Sequence, residues 1–205
     1  MSRLRVRYKR GPEVKYISHL DVIRLWQRAL TRAGIDLAYS EGFNPHPRLS
    51  LAAPLALGVT SEAELMDVGI SRHISPHSFE ALAGQQLPPG IEIMQVYQID
   101  PTMPSLQSQV RYAEYLVEVD VAAGEQPVEA ALASLLKKEH LPWQHRRNTV
   151  IRSYDLRLLI KDLWLAGGNG EHCTIGMRLR CDSSGSGRPE QVSKALGFGQ
   201  PHSIH

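Results

Sequence analysis

The spacing of apolar residues runs once through the order strand, helix, strand, strand, helix, strand, then breaks and starts again. Residues 3–10 alternate cationic and apolar side chains with period two, which predicts a strand with one polar face. Ser18 then precedes a helical run with Asp21 three residues on, an N-cap with an acid in the first turn. Val22, Ile23, Leu25, Trp26, Ala29, Leu30 and Ala33 fall on one arc of that helix, and Gly34 is placed to end it. RLSLAAPLALG at 48–58 reads as an edge or bulged strand because of Pro54, and 63–71 as another strand. Ser75-Pro76 opens a second helix, and IEIMQVYQI at 91–99 closes the set. This βαββαβ order predicts an α+β ferredoxin-like unit over residues 1–100.

Residues 101–109 sit in a Pro- and Ser-rich stretch that reads as a linker. The pattern then repeats over 110–205. A strand is expected at 111–121, a helix at 127–139 and strand material around 149–166. GGNG at 167–170 marks a hairpin, HCTIGMRLRC its return strand, and a loop with a final helix follows. The chain ends at GQPHSIH, so a second ferredoxin-like unit is expected, shortened at its C-terminus and without a closing strand.

Charge is distributed unevenly. Residues 1–48 carry ten Lys/Arg against four acids, a net of +6, whereas 49–100 carry Arg72 against six acids, a net of −5. One basic face suits nucleic acid, phosphate or an acidic protein. No stretch approaches the ~18 apolar residues of a membrane span. The N-terminus lacks an apolar signal core, so a cytoplasmic location is expected. Cys173 and Cys181 fit neither a zinc nor an iron–sulfur spacing and read as half-buried thiols.

The densest set of recognition groups is YSEGFNPHPRLS, Tyr39 to Ser50. Tyr39 and Phe43 offer stacking faces, Asn44 a donor and an acceptor, Ser40 a hydroxyl, and Arg48 a fork for phosphate. Pro45 and Pro47 restrict the backbone around His46. The competing reading is an ordered loop pinned by its own aromatics and an Asx turn at Asn44. Arg24, Arg28 and Arg32 form a stripe on the first helix, either a solvated face or a set of phosphate contacts. His19, Asp21 and His46 are the candidates for acid–base catalysis, although SHLD is first of all a helix cap. None of the three has a diagnostic metal spacing, so neither a metal nor a cofactor is implied. Arg146, Arg147 and Asn148 are read either as an extension of the basic surface or as charges guarding an edge strand. The Gly- and Ser-rich run 183–188 is either a phosphate loop at a helix start or a connector.

Lys15 to Val68 carries Y-I-S-H-L-D, R-A-L-T-R-A-G, A-Y-S-E-G-F-N-P-H-P and S-E-A-E. With R-S-Y-D-L-R-L-L-I-K-D-L and the R-P-E helix later in the chain, these motifs resemble the radical-SAM-associated DUF2344 family. The histidine-to-proline segment is similar, more distantly, to CRISPR repeat-processing endoribonucleases of the RAMP superfamily. Those are tandem ferredoxin-like proteins that bind RNA. The resemblance implies an RNA-binding accessory factor that works beside a radical SAM enzyme, on ribosomal or transfer RNA. It leaves two alternatives: a metal-independent endoribonuclease and a non-catalytic protein adaptor. The C-x-x-x-C-x-x-C cluster motif of radical SAM enzymes does not occur in this chain.

Overall fold

Alternation in the first strand sends Leu4, Val6 and Tyr8 into a core and leaves Arg3, Arg5, Arg7 and Lys9 on the opposite face. In the computed structural model, which describes residues 2–121, 127–147, 150–168 and 171–205, this strand is β1, Ser2–Arg10. The chain divides into two units, Met1–Gln109 and Val110–His205.

In the first unit β1 is followed by α1 (His19–Arg32), β2 (Leu49–Leu51), β3 (Ser61–Ile70), α2 (Pro76–Gly84) and β4 (Ile91–Ile99). The sheet order is β2-β3-β1-β4 with every neighbour antiparallel, the ferredoxin-like arrangement. Helix α1 starts where Ser18 Oγ accepts the Asp21 N–H and ends at Ala33. Gly34 then takes a φ of +68°, and two closing bonds form, Gly34 N–H to Thr31 O and Ile35 N–H to Leu30 O, both 3.1 Å. The apolar arc of α1 buries Val22, Trp26, Ala29 and Leu30 over the sheet. The Trp26 ring meets Tyr8 edge-on, with centroids 5.0 Å apart.

The expected linker is not a free tether. Leu106–Gln109 forms a short helix, α3, with Leu106 fully buried. Gln107 Nε2 donates to Leu51 O at 2.7 Å, and Arg3 donates to the carbonyls of Met103 and Pro104. A Pro- and Ser-rich composition marks a break in periodicity but cannot report such side-chain anchors.

The second unit contains β5 (Tyr112–Asp120), α4 (Val128–Lys137), β6 (Pro142–Arg147), β7 (Val150–Asp155), β8 (Ile160–Gly168), β9 (His172–Asp182), β10 (Gly185–Ser186), α5 (Pro189–Ala195) and β11 (Ser203–Ile204). Its sheet runs β8-β9-β5-β11, again antiparallel, with β10 pairing the far end of β9. The second unit therefore has a closing strand: Ser203 pairs with Glu118 and Ile204 with Val117. Two residues are too few to show a period, which is why GQPHSIH reads as a tail. The expected strand material around 149–166 is two strands, not one. A 3₁₀ turn at Leu156–Leu159 separates β7 from β8, and β6 and β7 form a hairpin of their own. Asp155 makes the break, its Oδ1 accepting the N–H groups of Leu141 and Arg157.

The Ser-Gly run 183–188 is neither slack nor a free anion nest. Asp182 Oδ1 accepts the Ser184 N–H at 2.8 Å and its hydroxyl at 2.5 Å, which holds the Asp182 carboxyl down at about 2. The donors of Ser184 are thus spent on a carboxylate, and the Gly187 N–H is spent on Arg180 O. Cys173 is buried, Cys181 is half-buried, and neither is in a disulfide. The side chains of Arg146 and Arg147, all of Asn148, and the GGNG residues 169 and 170 lie outside the described residues. Among the described residues no helix is long and apolar enough to cross a membrane.

Candidate nucleic-acid interface

The chain leaving α1 is tied to the end of β3 before it reaches the recognition loop. Ile35, Leu37 and Ala38 are buried. Ala38 N–H donates to Gly69 O, Gly69 N–H to Arg48 O, and Arg48 N–H to Ala38 O, at 2.8–2.9 Å. One rung further out, Ser40 N–H donates to His46 O at 2.8 Å, and the His46 N–H returns to Ser40 Oγ at 3.0 Å. Gly42 turns the tip with a φ of +124°. The loop is therefore closed by backbone bonds and Ser40, not by its aromatics. Phe43 is fully exposed at the tip, Tyr39 is 47 % exposed, and Asn44 is exposed with no side-chain hydrogen bond among the described residues. The Asx turn at Asn44 that belongs to the competing reading is not formed among the described residues.

Gly69 lets the loop base lie flat on β3. A Cβ there would stand 2.9 Å from Arg48 Cβ and 3.4 Å from Ala38 Cβ. Gly69→Ala is expected to push the Arg48 strand outward at a cost of about 1–3 kcal/mol. Urea denaturation read against the wild-type chain checks this.

The cations divide into free and engaged groups. Asp67, nearly fully buried, receives Arg3 at 2.5 Å and Arg5 at 2.7 Å, while Lys9 pairs with Glu62 at 2.8 Å. The hydrogen bond to Asp67 raises the pKa of the Arg5 guanidinium further. The basic face of β1 is thus largely neutralised, and Arg7 is its exposed cation. On α1, Arg24 pairs with Asp21 at 3.1 Å and Arg32 donates to Gln86 O at 2.7 Å. Arg28 is exposed and has no partner among the described residues. Arg48 uses its Nε to hold Tyr39 O at 3.2 Å, which leaves both terminal nitrogens available.

An open groove of about 510 Å³ runs from Tyr39 along the end of α1 to Ser71 and Arg72, with Thr31 and Asp36 on its wall. Arg72 stands out in the sequence only as a lone cation in an acidic stretch. The split βαβ topology could have located it, because β3 ends beside the C-terminus of α1 and Arg72 lies two residues beyond β3.

The acid–base candidates are not assembled. His19 begins α1, whereas His46 belongs to the loop beyond its other end, and 14 helical residues span roughly 20 Å. No hydrogen bond or ring contact joins them among the described residues. Burial first, then the Arg10 charge, lowers the pKa of His19, so its imidazole is neutral at pH 7. Arg10 is itself buried and donates to the carbonyls of Val14, Lys15 and Ile17, fixing the turn that leads into α1. Asp21 is occupied as a cap: Ser18 donates to its Oδ2 at 2.7 Å, and this bond with the Arg24 contact lowers its pKa. Around α1 and the loop, no three metal-ligating groups converge among the described residues.

On β3, opposite Tyr8, burial pushes the Glu64 carboxyl up, opposed by Ser61 and Arg10. A raised carboxyl favours folding fully below its ordinary value of 4.5, and that contribution is lost as pH rises through the folded value. Glu64→Gln is expected to remove this loss. The stability difference between variant and wild type, followed by urea melts at stepped pH, should move in the variant's favour above 4.5.

No curated protein matches the chain. Among solved structures, a chain from a crystallised Cbf5-Nop10-Gar1 complex aligns at a TM-score of 0.47 and 10 % identity, covering 99 % of this chain and 47 % of that one. A chain of the archaeal box H/ACA sRNP Nop10-Cbf5 complex aligns at 0.46 and 9 % identity, covering 98 % and 45 %. The chain spans about half the length of these structures. A family model described as "Uncharacterized protein conserved in bacteria (DUF2344)" matches residues 3–189, and the chain belongs to that family.

Proposed function

We propose that this protein is an RNA-binding accessory factor in RNA modification or processing, with the loop Tyr39–Arg48 as its grip. The observation that carries this reading is Phe43, fully exposed on a loop whose backbone is pinned at its base. Leaving a Phe outside forgoes about 1.5–3 kcal/mol of burial. A base stacked on an aromatic ring is worth ~1–3 kcal/mol, and a pinned loop loses little entropy on binding. Tyr39 offers a second face, and the free nitrogens of Arg48 suit a phosphate. His46, Ser40 and Asn44 line the same loop, and Arg28 and Arg72 are further phosphate contacts. Arg24 and Arg32 contribute less, because each is already engaged. A radical SAM enzyme as the partner, and ribosomal or transfer RNA as the target, rest on the family resemblance.

Arg48→Ala is expected to weaken binding of a fluorescein-labelled single-stranded RNA and to reduce the slope of log K against log salt by ~0.7, the contribution of one phosphate contact on a single strand. Anisotropy titrations at several salt concentrations give both numbers. An unchanged affinity and slope would remove Arg48 from the interface and favour a protein partner for the loop. The endoribonuclease reading would have to use His19 or His46 singly, and intact RNA after prolonged incubation with the wild-type chain would end it.

A further inference from the structure

We propose that Asp120, His172 and His202 of the second unit form a binding site for a divalent transition-metal ion, one that ties the short closing strand β11 to the sheet. Asp120 is the last residue of β5 and His172 the first of β9, and the two lie directly opposite in register. His202 precedes β11, with its N–H bonded to Glu118 O at 2.9 Å. Two strands and the segment leading into β11 therefore deliver one side chain each to one point. His172 Nδ1 and His202 Nε2 both lie 2.7 Å from the same oxygen, Asp120 Oδ1. The three donor atoms all lie within 4.8 Å of one another, and this is the one such convergence among the described residues. The imidazole rings stand nearly perpendicular, at 84° with centroids 5.5 Å apart, so their nitrogens converge without the rings stacking.

Two imidazole nitrogens and one carboxylate oxygen are the donor set that borderline ions such as Zn²⁺, Co²⁺ and Ni²⁺ prefer. Such ions bind at ~2.0–2.2 Å, which puts ligand atoms roughly 3.4 Å apart around a tetrahedral centre. The present contacts would have to widen by less than about 1 Å, within the reach of side-chain rotation. The three side chains are 44–63 % exposed, so the remaining coordination position faces solvent. It also borders a groove of about 360 Å³ lined by Val128, Glu129, Leu165, His172 and Cys173. Backbone bonds at His202 and His205 hold the terminal segment to β5, and an ion joining His202 to His172 adds a link to β9 that they do not supply.

The test is calorimetric titration of ZnCl₂ and CoCl₂ into the untagged full chain after chelator treatment. One ion per chain is expected, with a visible Co²⁺ spectrum of four-coordinate intensity and a Tm that rises with metal concentration. Asp120→Asn, His172→Ala and His202→Ala should each lower the affinity by more than the ~10–100-fold that outer-shell partners are worth. The wild-type chain supplies a second readout in case a variant misfolds. Zn²⁺ should protect His172 and His202, and not His140 ahead of β6, from diethylpyrocarbonate, as read by peptide mass. Absence of one-to-one binding, equal affinity in the folded variants, or uniform modification of all three histidines with Zn²⁺ present would overturn the site.

Discussion

Phe43→Ala is expected to weaken binding of single-stranded RNA by roughly 5- to 150-fold, which corresponds to the ~1–3 kcal/mol of one base stacked on an aromatic ring. The same substitution should leave Tm where it is. Phe43 is fully exposed and the loop closes through Ser40, Ala38, Gly69 and Arg48, so removing the ring takes away no packing. Anisotropy and a thermal melt on the same preparation separate the two effects. Unchanged affinity would mean that the ring is not a stacking surface. A fall in both affinity and Tm would mean that it supports the loop after all.

Trp26→Ala should have the largest effect on stability, about 3–5 kcal/mol. Trp26 has no exposed surface and meets Tyr8 edge-on at the centre of a cluster that includes Leu4, Val6, Leu30, Met66 and Val68. Marginal stabilities are 5–15 kcal/mol, so the loss is a large share of the total. Because α1 carries the residues that launch the recognition loop, RNA binding should fail together with the fold. Urea denaturation followed by near-ultraviolet circular dichroism reads the loss. A cost below 1 kcal/mol, the ordinary range for a surface site, would contradict the assigned core.

Local chemistry was readable where one segment contains its own signal. The Ser18 cap, the apolar arc of α1, the Gly34 stop and the Ser75-Pro76 start all depend on neighbours in sequence, and all appear as expected. The strand–helix order likewise led to the ferredoxin-like units. What escaped depends on partners distant in the chain. Asp67 neutralises Arg3 and Arg5 because β3 pairs with β1 in one register, so the basic strand offers less charge than its composition implies. Arg72 joins the groove because the topology brings the end of β3 beside Tyr39. The two-residue strand β11 has no periodicity to detect, and Leu106 looks like part of a linker until its burial is seen. For the loop, the density of recognition groups was legible. That its backbone holds it while its aromatics face outward was not, because both versions use the same residues.

The most direct test of the central claim is ultraviolet crosslinking of the protein in cells, with sequencing of the bound RNA and mass spectrometry of the crosslinked peptide. Enrichment of one RNA class is expected, with adducts on the peptide that contains Tyr39 and Phe43. Background RNA with no adduct between residues 39 and 48 would contradict it and make the exposed loop a docking face for a protein.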